Sequence, residues 1–385
     1  MTPLRHCLFL TWSLGSLFGC SEADPEPEIF TAVTYNAGLA TGYVEAADQR
    51  APKTTSQVVA LDADLLCVQE YWNDDHLAQL KAAAGNDYQG VQVLDPQPGD
   101  TGSAACEAGD VDEVYACAES NCSNLCTDEL TNCVLVNCGG ELAQLNKDHM
   151  GCYGCLVSNV GKELSLIKAT CESQSTQYAY GGSFGIALLT KKTPISTSSK
   201  VFASALNRRA VVHSRVPGDN GDPIDVFCTH LTSALSDVPH PTSTDADAWE
   251  QEQAAQIDEL LAFIVQTAGG TDNVVLMGDL NTGPKGVNYV AEIADHYQKF
   301  VDAGLINPYT ANADADCTFC SSNPLNKDSG NNSSSSVIDH IFFGGLDDIR
   351  DTRRVLDGTI KVESCGQEIT TGYSDHYGVS VSFAH

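Results

Sequence analysis

Six short polar motifs, each at the end of an apolar run, carry the residues of this chain that could do chemistry. They are Tyr35-Asn36, Gln69-Glu70, Thr229-His230-Leu231, Gly278-Asp279-Leu280-Asn281, Ile338-Asp339-His340 and Ser374-Asp375-His376. Together they offer a carboxylate for a divalent cation, amides for phosphate oxygens and two imidazoles for proton transfer, which metal-assisted cleavage of a phosphodiester requires. Asp279 and Asn281 are two apart, so they project to one side if the strand continues. A carboxylate beside an amide can hold both an attacking water and a phosphate oxygen. The plainer reading of this motif is an Asx turn closing a strand. Glu70 taken alone is a solvated strand end, and Asn36 a loop former before Gly38. A lone histidine is more often a hydrogen-bonded core or surface residue, and His213, His240, His296 and His340 are read that way. His230 and His376 differ: both stand at strand ends, with an Asp available to orient one of them. One imidazole can deprotonate water while the other protonates the leaving oxygen, and the residues alone leave the direction open.

Positioning these groups requires strands. Short β runs are predicted at Ile29–Tyr35, Asp64–Gln69, Gly185–Thr190, Ala210–Val216, Ile224–Thr229, Asn273–Met277, Val337–Phe343 and Gly378–Ala384. Two helices are predicted between them, Lys53–Leu61 and Ala246–Gln266. In the second, Ile257, Leu260, Leu261 and Ile264 recur at helical spacing. Gly330–Ser336 is a polar loop. Dominant strands with intervening helices predict an α/β (α+β) protein, a two-layer β-sandwich flanked by helices.

Of 385 residues, 51 are acidic and 20 basic, a formal net charge of -31. Such a surface repels a phosphate backbone, which tells against a nucleic-acid partner. Solubility or a saline habitat is the plainer account of the acidity. Residues 1–20 read as an export signal: Arg5 and His6 precede a short apolar run ending in Leu17-Phe18-Gly19-Cys20. That ending is similar to a bacterial lipoprotein cleavage box, in which Cys20 would carry the lipid and tether the protein to a membrane; plain secretion is the alternative. Residues 21–28 form a solvated tether.

Apart from Cys7 and Cys20, 14 of the 16 cysteines remain. Cys67 and Cys228 sit inside apolar strands and read as small core residues. The other 12 suit a disulfide framework in an oxidising compartment. Nine of them fall between Cys106 and Cys171, in an insert at about 101–177 that interrupts a domain spanning 29–385. The insert is expected to be helical, with Val111–Cys126 and Thr127–Cys138 as a helix pair, and Cys122 and Cys126 on one helix face. An odd count implies one free thiol or one bridge to the outside, with Cys317, Cys320 or Cys365 as the partner. Cys152-x-x-Cys155 and Cys317-x-x-Cys320 could instead be metal pairs.

The six motifs, in this order, resemble the endonuclease/exonuclease/phosphatase superfamily, which includes deoxyribonuclease I and the neutral sphingomyelinases. The resemblance covers about residues 29–100 and 178–385. It implies that Glu70 is the ligand of Mg²⁺ (Mn²⁺ or Ca²⁺ being alternatives), and that Asn36 contacts the metal site or the phosphate. It also implies that Asp339 pairs with His376 and fixes its tautomer, that His376 is the base and His230 the acid, and that Asp279 and Asn281 act on water and phosphate. Asp375 is placed in the metal shell or beside Asp279. The expected reaction is a single in-line attack of water on phosphorus. Leu66–Trp72, Thr229-His230-Leu231 followed by Gln253 and Gln256, and Asn323-Pro324-Leu325 leading to Asp339 are most similar to the neutral sphingomyelinases. Thr282-Gly283-Pro284 departs from inositol-polyphosphate 5-phosphatases, and the run around Asp339 departs from deoxyribonuclease I. The substrate expected is therefore a phospholipid head group such as sphingomyelin. The alternatives are an exported nuclease and a non-catalytic binding module on the same fold.

Overall fold

The computed structural model describes residues 27–385, apart from 124, 219–220, 236–237 and 328–333. The export segment, Cys20 and part of the Gly330–Ser336 loop lie outside the described residues. Thirteen strands are described: β1 (Ile29–Asn36), β2 (Leu65–Gln69), β3 (Gly90–Gln92), β4 (Ala187–Thr190), β5 (Ser196–Phe202), β6 (Arg209–Pro217), β7 (Pro223–His230), β8 (Val274–Asp279), β9 (Asp339–Gly344), β10 (Ile349–Val355), β11 (Thr359–Ser364), β12 (Gln367–Gly372) and β13 (Gly378–Ala384). One sheet runs β10-β13-β1-β2-β4-β3, the other β5-β6-β7-β8-β9, and β11-β12 is a separate hairpin. Within each sheet one central pair is parallel, β1 with β2 and β7 with β8.

Side-chain alternation along these strands builds three cores. Phe30, Ala32, Leu65, Val226, Met277, Ile341 and Phe383 meet between the sheets. Val33, Tyr35, Leu66 and Val68 face outward from the first sheet. They pack on α1 (Ala47–Ala60) and α2 (Asp74–Ala84) through Ala51, Val58, Leu80 and Ala84. On the far side, Phe227, Val274, Leu276 and Phe342 are covered by further helices. Strands buried on both faces read as continuous apolar runs, which is why these segments look so hydrophobic.

The Cys-rich segment between β3 and β4 forms five short helices rather than two: α3 (Asp112–Asn121), α4 (Thr127–Asn137), α5 (Gly139–Asp148), α6 (Met150–Ser158) and α7 (Leu164–Cys171). They enclose a small core of Val114, Leu142, Leu145, Tyr153 and Ile167. The helices over the second sheet are α8 (Ala248–Ala268), with Ile257, Leu260 and Ile264 inward, and α9 (Ala294–Asp302), with Tyr297 and Phe300 inward. A single turn, α10 (Pro308–Ala311), follows.

All 14 cysteines set apart from the export segment are paired, in seven bridges. This corrects three expectations. Cys67 and Cys228 are joined across the two sheets rather than being free core residues. Cys122 and Cys126 do not share a helix, because α3 ends at Asn121; they bond to Cys133 and Cys365 respectively. The CxxC pairs are disulfide-bonded and so not metal pairs: Cys317 bonds Cys320, while Cys152 and Cys155 bond Cys106 and Cys171. Cys126–Cys365 is the one bridge from the insert to the rest of the chain, with Cys365 as the outside partner.

Helix α1 begins at Ala47, six residues before the predicted start, and carries Pro52 inside it. Proline favours the first turn of a helix, so the sequence pattern placed the start just after it. Strands β5 and β10 were not predicted; they are sheet edges with mostly polar, exposed residues and no apolar alternation.

Candidate active site

All six motifs lie at the same end of the sandwich, and four of them meet at one carboxylate oxygen. Oδ2 of Asp279 accepts a hydrogen bond from the Asn36 amide at 2.9 Å. Nε2 of His230 lies 3.5 Å from the same oxygen, and Nε2 of His376 lies 3.9 Å away. The other oxygen, Oδ1, accepts from the backbone N–H of Asn281 at 3.0 Å. Strands β1, β7 and β8 therefore deliver side chains from both sheets to one point, and the Ser374–His376 loop before β13 delivers the fourth.

Each group has a local reason for its place. His376 Nδ1 donates to Asp339 at 2.9 Å, which leaves Nε2 turned toward Asp279. Asn281 donates its side-chain amide to Leu231 O, and Gln253 of α8 donates to the Asn281 carbonyl. Asn36 accepts from Gly38 N through Oδ1. Gly38 has φ +56°, and a Cβ there would lie 2.1 Å from Asp375 Oδ1, so only glycine lets this loop reach Asp375. Glu70 and Asn281 hold positive φ of 65° and 51° without being glycine. Such backbone costs on the order of 1–3 kcal/mol and persists at sites where geometry is overdetermined.

Burial sets the electrostatics. Asn36, Asp279, Asp339, His230 and His376 are all at most 6% exposed. Burial, with the neighbouring Asp339 charge, pushes Asp279 up to about 7, against the pull of His376 and Asn36. Burial and the charge of Asp375 likewise raise Glu70, while Asn36 hydrogen-bonds it. His230 is driven well below the usual histidine range by burial and by the positive charges of Arg209 and His376. Burial opposes the charged form of His376 too, but Asp339, Asp375 and Asp279 outweigh it and hold its pKa well above the usual value. The surroundings thus favour the charged form of His376 and the neutral form of His230, the reverse of the expected assignment of His376 as base and His230 as acid.

Several buried polar atoms here lack a partner: Glu70 Oε2, Asp339 Oδ1, His230 Nδ1 and Arg209 Nη1. Buried polar groups are almost always satisfied, so the site is built to receive something. Glu70, Asn36 and Asp375 supply only oxygen donors and two carboxylates, which fits a hard cation such as Mg²⁺. A second group, Asp279, Asp339 and His376, brings ligand-type atoms within 4.8 Å of one another. Asp339 engages its histidine Nδ1 and leaves Nε2 toward Asp279, an arrangement suited to moving a proton.

Three contributors were not predicted from sequence. Arg209 opens β6 with its guanidinium buried; burial lowers its pKa, while Glu70, Asp279 and Glu252 favour its charge. It lies over the ring of Trp72, 5.6 Å from the centroid. Trp72 stacks on Tyr180 and stands beside His230, forming an aromatic wall. Arg50 is fully buried in α1 and donates to the carbonyls of Ala37, Gly38 and Tyr373. It thereby ties the loop after Asn36 to the segment before Ser374. Scarcity of basic residues was the only available signal, and it pointed away from buried arginines.

Three other described histidines are held by hydrogen bonds within the fold. His340 Nε2 donates to Thr282 O and its Nδ1 accepts from the Asn307 amide, and burial pulls its pKa down to about 4. His213 is bonded to Ser198 and Asp225 on the second sheet, and His296 to Gln253. The insert is tied to the loop after β7: Tyr153 donates to Pro239 O, and Asn146 to His240 O.

Comparison with known proteins follows the same lines. The model of the Endonuclease/Exonuclease/phosphatase family matches residues 33–376. No curated protein matches the chain in sequence. Sphingomyelinase C from Streptomyces griseocarneus is similar in structure, with a TM-score of 0.55 at 15% identity over 92% of this chain and 99% of that one. SmcL gives 0.56 at 14%, over 93% and 99%. A variant of beta toxin from Staphylococcus aureus, with bound magnesium ions, gives 0.56 at 13%, over 93% and 100%. At such identities the likeness concerns the fold.

Proposed function

The chain belongs to the endonuclease/exonuclease/phosphatase family, whose members generally hydrolyse phosphate esters, and from that premise we propose that it is an exported, divalent-cation-dependent phosphodiesterase acting on a phospholipid head group such as sphingomyelin. The observation that carries the reading is the convergence on Asp279 of Asn36, His230 and His376 from both sheets. Family membership and the sphingomyelinase fold neighbours support the substrate class, and the net charge of -31 disfavours a nucleic-acid backbone. Seven disulfides fit an oxidising compartment outside the cytosol.

In this reading Glu70 would hold the cation, with Asn36 and Asp375 as further protein ligands. Bound there, the cation would neutralise charge developing on the phosphoryl oxygens. Asp279 and Asn281 orient water and a phosphate oxygen. Asp339 fixes the tautomer of His376, and His376 and His230 move the two protons of an in-line attack by water. Arg209, with its free Nη1, is a further donor for an anionic oxygen. No covalent enzyme intermediate is required. Membrane attachment through Cys20 is part of the proposal; labelled palmitate should enter the wild type and not Cys20→Ala.

The substrate test offers purified protein sphingomyelin vesicles, plasmid DNA and an inositol phosphate side by side, with Mg²⁺ or EDTA. Mg²⁺-dependent release of phosphocholine is expected. DNA cleavage without phosphocholine release would replace the lipid by the nuclease reading. Inactivity on all three would favour the binding module.

A further inference from the structure

The catalytic candidates stand in a row across both sheets, and a covalent bond lies in the row beneath. In the first sheet Thr34 pairs with Cys67, and Asn36 with Gln69. In the second, Cys228 pairs with Met277, and His230 with Asp279. Residues two apart on a strand share a face. Thr34, Cys67, Cys228 and Met277 therefore point the same way as Asn36, Gln69, His230 and Asp279, about 7 Å deeper along the strands. Cys67 and Cys228 are bonded, with Cα atoms 5.5 Å apart.

That separation is short for a sandwich, since stacked sheets ordinarily lie about 10 Å apart. The sheets are pinched here, and the short side chains of Asn36 and Asp279 need such a pinch to meet at 2.9 Å. Asp279 and Asp339 face each other on neighbouring strands of the second sheet, and His376, brought by the loop before β13 of the first sheet, lies within 4.8 Å of both. A covalent bond between β2 and β7 fixes that spacing directly, one residue pair beneath the row.

We propose that the Cys67–Cys228 bond is a positioning device for the catalytic row: it holds the sheet bearing Asn36 and Glu70 at working distance from the sheet bearing His230 and Asp279. The inference rests on the reading of this row as a diesterase site. Neither cysteine touches substrate; both act through Asn36, Glu70, His230 and Asp279. Opening the bond loosens the site before it unfolds the protein, so the enzyme would work only where disulfides persist.

The test compares wild type with Cys67→Ala/Cys228→Val, whose side chains refill much of the space of the sulfur pair. Cys155→Ala/Cys171→Ala, which removes a bridge inside the insert, is the control. Turnover of bis(4-nitrophenyl) phosphate with saturating Mg²⁺, Mn²⁺ affinity by electron paramagnetic resonance, and thermal unfolding are measured. In the core variant kcat should fall about 10–100-fold, with KM within about threefold and unfolding still cooperative. Mn²⁺ should bind about tenfold more weakly, and the control should keep wild-type kcat. A folded core variant with wild-type kcat and Mn²⁺ affinity overturns the proposal. If wild type itself cleaves no diester, the functional reading fails. The positioning claim is then decided by a crystal structure of the variant: the Asn36–Asp279 contact must open beyond hydrogen-bonding distance, and an unchanged contact overturns it. Should the variant not fold, the same contact and Mn²⁺ affinity are compared in oxidised and selectively reduced wild type, with the same outcomes deciding.

Discussion

Asp339→Asn changes one charge beneath His376 and almost nothing in shape. Asp339 is fully buried, and it accepts from His376 Nδ1 at 2.9 Å. A hydrogen bond to a charged group contributes about 1.5–3 kcal/mol, and each 1.36 kcal/mol is a factor of ten in rate. If that stabilisation is realised where His376 carries its proton, the variant should lose about 10–150-fold in kcat. The amide can also donate to Nδ1, which would select the wrong tautomer and add to the loss. The pH dependence supplies an independent sign. His376 is buried, yet carboxylates, Asp339 first, hold its pKa well above the usual 6.5. A raised pKa gives stability that is present below the unfolded value and lost as pH rises through the folded one. Without the Asp339 charge, burial pulls the pKa down, so the limb of the kcat/KM profile due to His376 should move to lower pH. The assay is initial rates on bis(4-nitrophenyl) phosphate with saturating Mg²⁺ across pH 5–9, with circular dichroism checking the fold. A folded variant with kcat within about threefold of wild type and an unmoved limb would refute the pairing argument.

Three other outcomes can be checked on the same preparations. Glu70→Gln should raise the Mg²⁺ concentration for half-maximal activity by about 10–100-fold, measured by metal titration. His340 is held down to about 4 by burial, against about 6.5 when unfolded. Its contribution, about 3 kcal/mol, is present above pH 6.5 and is lost as pH falls toward 4. Urea unfolding of wild type should therefore weaken over that window more steeply than that of His340→Gln. Cys126→Ser/Cys365→Ser should cost about 2–4 kcal/mol of stability and speed proteolysis within the insert, while catalysis in the folded enzyme stays near wild type.

The convergence of the candidate row was legible only from the six motifs together, because a single polar residue ending an apolar strand is more often a solvated end or a turn. The helical face of α8 was legible in the same way, through Ile257, Leu260 and Ile264. What stayed hidden obeys the same physics in ambiguous form. Cys67 and Cys228 within apolar strands look alike whether free or bonded, because a half-cystine and a small hydrophobe occupy the same kind of position. Arg50 and Arg209 are buried cations, so any pattern that assigns arginine to the surface misplaces them. The start of α1 was concealed by Pro52. The edge strand β5, Ser-Thr-Ser-Ser-Lys-Val-Phe, is held by its neighbour β6 rather than by an apolar face of its own.

The central claim is that side chains from two sheets form one cation-assisted, water-using diesterase site. It is tested most directly by hydrolysis of a soluble diester in ¹⁸O-labelled water, with Mg²⁺ or EDTA, by wild type and Asp279→Ala. One labelled oxygen is expected in the phosphoryl product, with no product formed in EDTA and a loss of orders of magnitude in the variant. Equal hydrolysis by the folded variant, or hydrolysis indifferent to EDTA, would contradict the claim.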